Sequence, residues 1–430
     1  MSEKQSRRRF MQLTGAAVST TVALGAVGSA AADKYSWEEV PSPTGSTIYG
    51  AVQTQEGPYA VGSSGDVFAR RVDGWEMVLD DGPTTQSNPL RACDVTSDGR
   101  NLWFAGGSGV VGQYDVFDEQ LTDYSAPKGK TSTWEAVAAA GSAGSEFVGL
   151  ANGSGEFLPG TKNDQGGMNW GTVVKPGGGS SIKGMDFLDK QVGYVCDTNA
   201  KVYETTDGGK SWTTIGIDGG SVGLYGIAAV SRDRIYVTGG DGSIFRYNGA
   251  VWTKTDAGGT ALLDIEFEAG EGLASGGSGN LYEYRDREGW SKEDTPMSAT
   301  LRGVALDPTS TFPDVAVGSS GTIIERGLYT ASEPKDNELI VDGSKGSDER
   351  VKYRVSVDGA TEGVPNTTED TDEVDSDVLD GSVVTGRVRG GLDRYRFSGS
   401  ITDFTVTSGS PAEIYVVVNG DVIDVTDGTN

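Results

Sequence analysis

Apolar and polar positions alternate along this chain in short runs, and Gly, Ser, Asn and Asp interrupt the runs at regular distances. Tyr59-Ala60-Val61 and Val67-Phe68 flank the tetrapeptide Gly62-Ser63-Ser64-Gly65. β-branched and aromatic residues around such a tetrapeptide predict a tight hairpin, because glycine adopts the positive φ that these turns need. The pattern returns at Ala105–Val110, Ala151–Glu156, Thr238–Ser243, Ser275–Asn280 and Val317–Thr322, and more loosely at Cys196–Lys201. The last turn residues stand at 65, 109, 155, 200, 242, 279 and 321, so successive hairpins lie 37 to 46 residues apart. Self-similarity at that period marks a propeller or a solenoid.

Each repeat opens on an apolar-small run such as Ile48-Tyr49-Gly50-Ala51-Val52, Leu90-Arg91-Ala92-Cys93 or Leu301-Arg302-Gly303-Val304. A second strand, the hairpin and a third strand follow, and a polar turn leads to a fourth strand. An aromatic residue opens that strand: Trp75, Tyr124, Trp170, Trp212, Trp252 or Trp290. Four strands in such a length make a propeller blade. One fourth strand is missing from the seven repeats, and Tyr35–Val40, ahead of the first repeat, has the right form to supply it beside Ile323–Arg326. Such closure removes an open sheet edge. The fold expected is all-β: a seven-bladed β-propeller over residues 33–330, a linker over 331–337, and a small C-terminal β-sandwich over 338–430.

Composition narrows the partners. The net charge is −27, from 62 acidic and 35 basic residues, and Gly accounts for 65 of 430 positions. Nucleic-acid binding relies on Lys and Arg against phosphates, so this balance argues against it. The acidic, lysine-poor surface resembles that of proteins from extreme halophiles, where concentrated salt screens such self-repulsion. The chain has no His, and Cys93 and Cys196 fall in different repeats. Two free thiols are expected, with no metal site and no cofactor.

At the N-terminus, Arg7-Arg8-Arg9-Phe10 before a mild apolar region and Ala30-Ala31-Ala32 matches a twin-arginine export signal over residues 1–32, with Arg7 and Arg8 as the pair. Retention of that segment as a membrane anchor is the alternative. Downstream, nothing approaches the ~18 consecutive apolar residues that span a bilayer. The mature chain is expected to be exported, extracellular or attached to the cell surface, and monomeric.

One repeat carries a sharper motif. Thr205-Thr206-Asp207-Gly208-Gly209-Lys210-Ser211-Trp212 fits the Asp-box, in which the aspartate binds turn amides and the tryptophan packs beneath the hairpin. Asp73-Gly74-Trp75, Asn248–Trp252 and Glu288-Gly289-Trp290 look like worn copies. With these motifs, residues 35–327 resemble the BNR/Asp-box and WD40/YVTN-type propellers, and most of all the photosystem II stability/assembly factor-like group. That resemblance implies a protein-binding or assembly role. Within the box, Thr205, Asp207, Gly209 and Trp212 are expected to be structural.

Short alternating runs continue after residue 338 and resemble a β-domain appended to exported haloarchaeal proteins. Residues 358–380 hold nine acidic and no basic residues, which predicts a solvated loop. A calcium site is the alternative there, but Leu379 stands where EF-hand spacing needs a ligand. Asn152 and Asn366 begin N-glycosylation sequons.

Two functional readings remain. Aligning the repeats places Tyr49, Arg91, Glu135, Lys183, Tyr225, Leu263 and Arg302 at the second position of each innermost strand, a ring near one mouth of the channel. Arg91, Lys183 and Arg302 with Tyr49 and Tyr225 form a candidate patch for an anionic peptide or protein, since Arg and Tyr serve as anchors and Arg suits carboxylates. The alternative for these cations is packing between blades against Asp94, Asp186 and Asp264. The second reading is a secreted carbohydrate-active enzyme, sialidase-like or another glycoside hydrolase or lyase. It needs an arginine cluster, a Tyr–Glu pair and an acid, and no spacing in the sequence singles out such a set. A non-catalytic scaffold is the reading preferred.

Overall fold

The computed structural model describes residues 36–217, 220–307, 309, 311–327, 337–344, 350–357, 361–363, 378–380, 383–389, 391–398, 400–423 and 425. The expected signal segment with Arg7 and Arg8, the sequon at Asn366 and most of the acidic stretch lie outside them. The chain divides into two compact units, residues 1–330 and 331–430.

In the first unit, seven antiparallel four-stranded sheets follow the repeats in order. Their innermost strands are Ile48–Thr54, Leu90–Val95, Trp134–Ala140, Ile182–Phe187, Leu224–Ser231, Leu262–Glu268 and Leu301–Ala305. Each packs against the next, and the last packs against the first, so the ring is closed. This is the seven-bladed propeller. The fourth strand of the last blade comes from the other end of the unit. Glu38–Glu39 pairs with Ile323–Arg326, and Trp37 beside it is buried against Leu273 and Leu281 of the sixth blade.

The hairpins behave as their sequences require. Gly65, Gly109, Gly155, Ala200, Gly242, Gly279 and Gly321 all have positive φ. At Gly242 the backbone of the incoming loop comes so close that a Cβ would stand 1.9 Å from the Gly258 carbonyl oxygen. The loose fourth repeat solves the same problem from the other side. Ala200 takes the left-handed conformation at φ 59°, and the loop opposite supplies Gly220, where an added Cβ would lie 3.1 Å from that of Ala200.

Blade cores are filled by the alternating apolar positions of the inner three strands, and Trp75, Trp212 and Trp252 wedge against the preceding blade. Trp75 donates to Glu325 Oε1 (2.6 Å), Trp252 to the Ile215 carbonyl (2.7 Å), and Trp212 sits edge-on to Phe157 at 5.0 Å. The fourth-strand aromatics do not all open their strands as expected. Trp170 ends Met168–Trp170, Trp212 precedes Thr213–Thr214, and Tyr124 follows Gln120–Asp123. Stacking fixes them instead: Tyr124 lies on Trp103 at 5.1 Å whatever the length of the turn before it.

The second unit is a β-sandwich of a five-stranded and a four-stranded antiparallel sheet. Leu339, Val341, Tyr395 and Val416 of one sheet meet Val351, Tyr353, Val355 and Val384 of the other in a common core. Within the core, the Tyr353 hydroxyl donates to Asp393 Oδ2 at 2.5 Å. The expected loop 358–380 is not loop throughout. Thr361–Gly363 adds an edge strand to one sheet and Val378–Asp380 to the other, because each lies antiparallel to a strand with free edge groups. No helix among the described residues is long and apolar enough to cross a membrane.

Candidate functional site: the channel mouth

The first residue of every innermost strand is buried in its blade, and a register irregularity follows at once. Pairing slips between Ile48 and Gly50, Leu90 and Ala92, Trp134 and Ala136, Ile182 and Gly184, Leu224 and Ile227, Leu262 and Asp264, and Leu301 and Gly303. A bulge leaves its extra residue unpaired and re-aims the side chain. The residues within these slips include all seven ring positions, Tyr49, Arg91, Glu135, Lys183, Tyr225, Leu263 and Arg302. Each is half-buried except Arg91, which is exposed.

The ring is not uniform. The Arg91 guanidinium lies 4.5 Å from the centre of the Tyr49 ring and that of Arg302 5.4 Å from it, so three consecutive blades (7, 1 and 2) place two cations about one phenol. Arg302 also donates to Ser319 Oγ at 3.3 Å. Among the described residues neither arginine has an ion pair. Lys183 differs: its ammonium binds Glu135 Oε2 at 2.8 Å and is neutralised there. Tyr225 lies along its own hairpin, with a ring carbon 3.1 Å from where a Cβ on Gly240 would stand. Of the five candidate residues, the structure gathers Tyr49, Arg91 and Arg302 and sets Lys183 and Tyr225 apart.

Below the mouth, Asp94, Asp186 and Asp264 take the role of seams. Asp94 Oδ2 accepts from Ala139 N (2.7 Å), Asp186 Oδ2 from Ala229 N (2.7 Å), Asp264 Oδ2 from Val304 N (3.0 Å) and Glu266 Oε2 from Leu306 N (3.0 Å). Each bond crosses from an even-numbered blade to the next. The alternative pairing of ring cations with these aspartates is thereby replaced, for Lys183, by Glu135. Asp264 is ringed by protein although water partly reaches it, and desolvation pushes its pKa up to about 6 against the pull of the Val304 and Ile265 amides. Cys93 and Cys196 are both free thiols. Desolvation, then the nearby Asp94, Asp264 and Glu266, push the Cys93 thiol well above its ordinary value.

Sequence reasoning missed a second set of cations. Every wedge between blades holds one that binds the neighbouring blade. Arg70 meets Glu325 at 2.7 Å, Arg71 meets Glu119 at 2.9 Å and Lys162 meets the Tyr124 hydroxyl at 2.7 Å. Lys190 binds the Ser145 carbonyl at 2.7 Å, Arg232 binds Glu204 at 3.1 Å and Arg234 binds Asp286 at 3.5 Å. Arg326, 8% exposed, is held by Glu283 at 2.9 Å, Asp314 at 2.8 Å and Glu293 at 3.7 Å. The only available signal was a basic residue near the end of a third strand or beside a first-to-second-strand turn.

The segment Thr205–Trp212 is stapled as a hairpin. Asp207 Oδ1 accepts from Ser211 N (2.9 Å) and its Oδ2 from Ser211 Oγ (2.6 Å), which hold its carboxyl down at about 2. Thr205 Oγ1 accepts from Gly209 N (2.9 Å), and Trp212 Nε1 donates to the Gly209 carbonyl (3.2 Å). Asn152 is fully buried, and its amide nitrogen donates to Glu156 Oε2 at 2.9 Å. The folded chain therefore offers no glycan acceptor at that sequon.

No family model matches the chain, and no curated protein matches it in sequence. Solved structures do match its fold. A structure of U3-55K aligns with a TM-score of 0.57 at 11% identity, over 68% of this chain and 98% of that one. A virginiamycin B lyase from Staphylococcus aureus gives 0.55 at 14% identity, over 68% and 99%. YCF48 bound to D1 peptide gives 0.54 at 14% identity, over 73% and 100%. At such identities the likeness is one of propeller architecture.

Proposed function

We propose that this protein is a non-catalytic binding scaffold, exported by the twin-arginine route to the cell surface or beyond, that seats an anionic segment of a protein or peptide partner at the Arg91–Tyr49–Arg302 corner of the channel mouth. The observation that carries the reading is the contrast of two arginines with no acidic partner among the described residues, on one tyrosine, in a chain of net charge −27. Guanidinium groups pair with carboxylates through parallel hydrogen bonds, and stacking on an aromatic ring holds them ready for it. A propeller of like fold solved with a peptide, YCF48 with the D1 peptide, supports a peptide as the class of ligand.

The enzyme reading finds less support at this site. A tyrosine flanked by arginines is half of a sialidase-like set, but the acid of the ring, Glu135, is bound to Lys183. A labelled glutamate-rich peptide titrated against the full chain tests the proposal by fluorescence anisotropy. Replacing both arginines (Arg91→Gln, Arg302→Gln) is expected to weaken binding about tenfold or more, and added salt to weaken the parent alone. Equal affinities for parent and double variant would overturn it.

A further inference from the structure

The outer strands of the fourth and fifth blades differ in length. The fourth blade ends in the two-residue strand Thr213–Thr214, whereas its neighbour's last strand runs five residues, Trp252–Asp256. Between them lies a cleft of about 780 Å³, within the size range of small-ligand sites. Tyr247 and Trp252 form one wall, their ring centres 5.0 Å apart and tilted by 35°, and Trp252 is fixed by its bond to the Ile215 carbonyl. Polar groups complete the lining. Lys254 bridges Asp241 (3.1 Å) and Asp256 (3.0 Å), and the exposed Lys201 has no ion pair among the described residues.

We propose that this cleft binds a hexuronate unit of an acidic glycan. An aromatic wall beside fixed donors and acceptors suits a pyranose ring, which presents an apolar C–H face and a rim of hydroxyls. The Asp241–Lys254 pair supplies both acceptor and donor to vicinal hydroxyls, and Lys201 remains for the sugar carboxylate. A nucleotide fits less well, because one cation without an ion pair among the described residues does not balance several phosphates. An added peptide strand fits less well too, because a two-residue outer strand offers little edge to pair with. The site is separate from the channel mouth and stands whether or not the mouth binds a peptide.

The test titrates the full chain with a glucuronate trisaccharide and with the matched neutral glucose trisaccharide, reading tryptophan fluorescence and calorimetric heat. A saturable fluorescence change with the acidic sugar is expected. Trp252→Phe should weaken binding about tenfold, and Lys201→Gln, at an exposed side chain that folding does not need, should abolish the preference for the acidic over the neutral sugar. No binding of the glucuronate trisaccharide, equal binding of both sugars by the parent, or affinities unmoved by either substitution would overturn the proposal.

Discussion

The wedges between blades and the mouth of the channel use the same side chains to opposite ends. In the wedges, Arg and Lys reach from one blade to groups on the next, and Arg326 is sunk among three carboxylates. At the mouth, Arg91 and Arg302 touch a tyrosine face and, among the described residues, no acid, although acidic residues outnumber basic ones by 62 to 35. Lys190 settles on the Ser145 carbonyl, but an arginine in these wedges always finds a carboxylate on the neighbouring blade. Its lack of one at a bulged, solvent-facing position is the informative state. The contrast also separates two kinds of repetition: wedge cations recur because each blade must grip its neighbour, whereas ring residues change from blade to blade.

Removing a wedge cation should have the largest effect. Arg326→Met strips Asp314 and Glu293 of their ion pair and leaves Glu283 with Arg285 alone, and is expected to cost about 3–5 kcal/mol in urea unfolding. A loss below about 1 kcal/mol would erase the distinction between wedge and mouth. Next comes the seam at Asp264, whose folded pKa of about 6 lies above the ordinary 3.8. The folded state then holds that proton more tightly, so the stability it contributes is full below about pH 4 and is lost as pH rises through 6. Asp264→Asn should remove this slope and raise neutral-pH stability by about 1 kcal/mol, after allowance for channel water, as measured by melting between pH 4 and 7. An unchanged slope would place the titration elsewhere.

The smallest effects on stability belong to the mouth. Arg91→Gln and Arg302→Gln should each alter unfolding free energy by no more than about 0.5 kcal/mol, while the double variant loses the acidic peptide. Lys183→Gln, which frees the Glu135 charge, should likewise leave stability within about 0.5 kcal/mol and weaken that peptide a few-fold by repulsion. A stability loss at Arg91 comparable to that at Arg326 would make the mouth arginines structural after all.

The propeller was legible because its turns leave a periodic mark. Left-handed backbone at each hairpin demands glycine or a tolerant substitute, and even the loose Cys196–Lys201 repeat keeps that conformation at Ala200. The position of the ring was legible for a related reason: alternation and the Gly or Ala at the third place of six of the seven inner strands fix where the second points. Which ring members meet was not. Tyr49 lies between Arg91 and Arg302 because the first blade sits beside both the second and the seventh, a closure that joins residues far apart in the chain. Wedge cations were hidden in the same way, since Arg70 finds its acid 255 residues away. The outer cleft depends on the difference in length of two fourth strands, which their aromatic residues conceal.

The strand Glu38–Glu39 is the clasp of this ring, and it sets the order in which the ring can be finished. Every other blade can assemble from a continuous stretch of chain, but the strand that completes the seventh precedes the first and must wait for the seventh to form. Closing a loop of nearly the whole propeller costs entropy that grows only slowly with its length, so the seal is thermodynamically cheap yet belongs late in folding. Until it forms, the outer edge of Ile323–Arg326 is open to any passing strand. A proteolytic cut just after Val40 would therefore unfasten a circle rather than trim an end, and the seventh blade should be the first to exchange its amide protons.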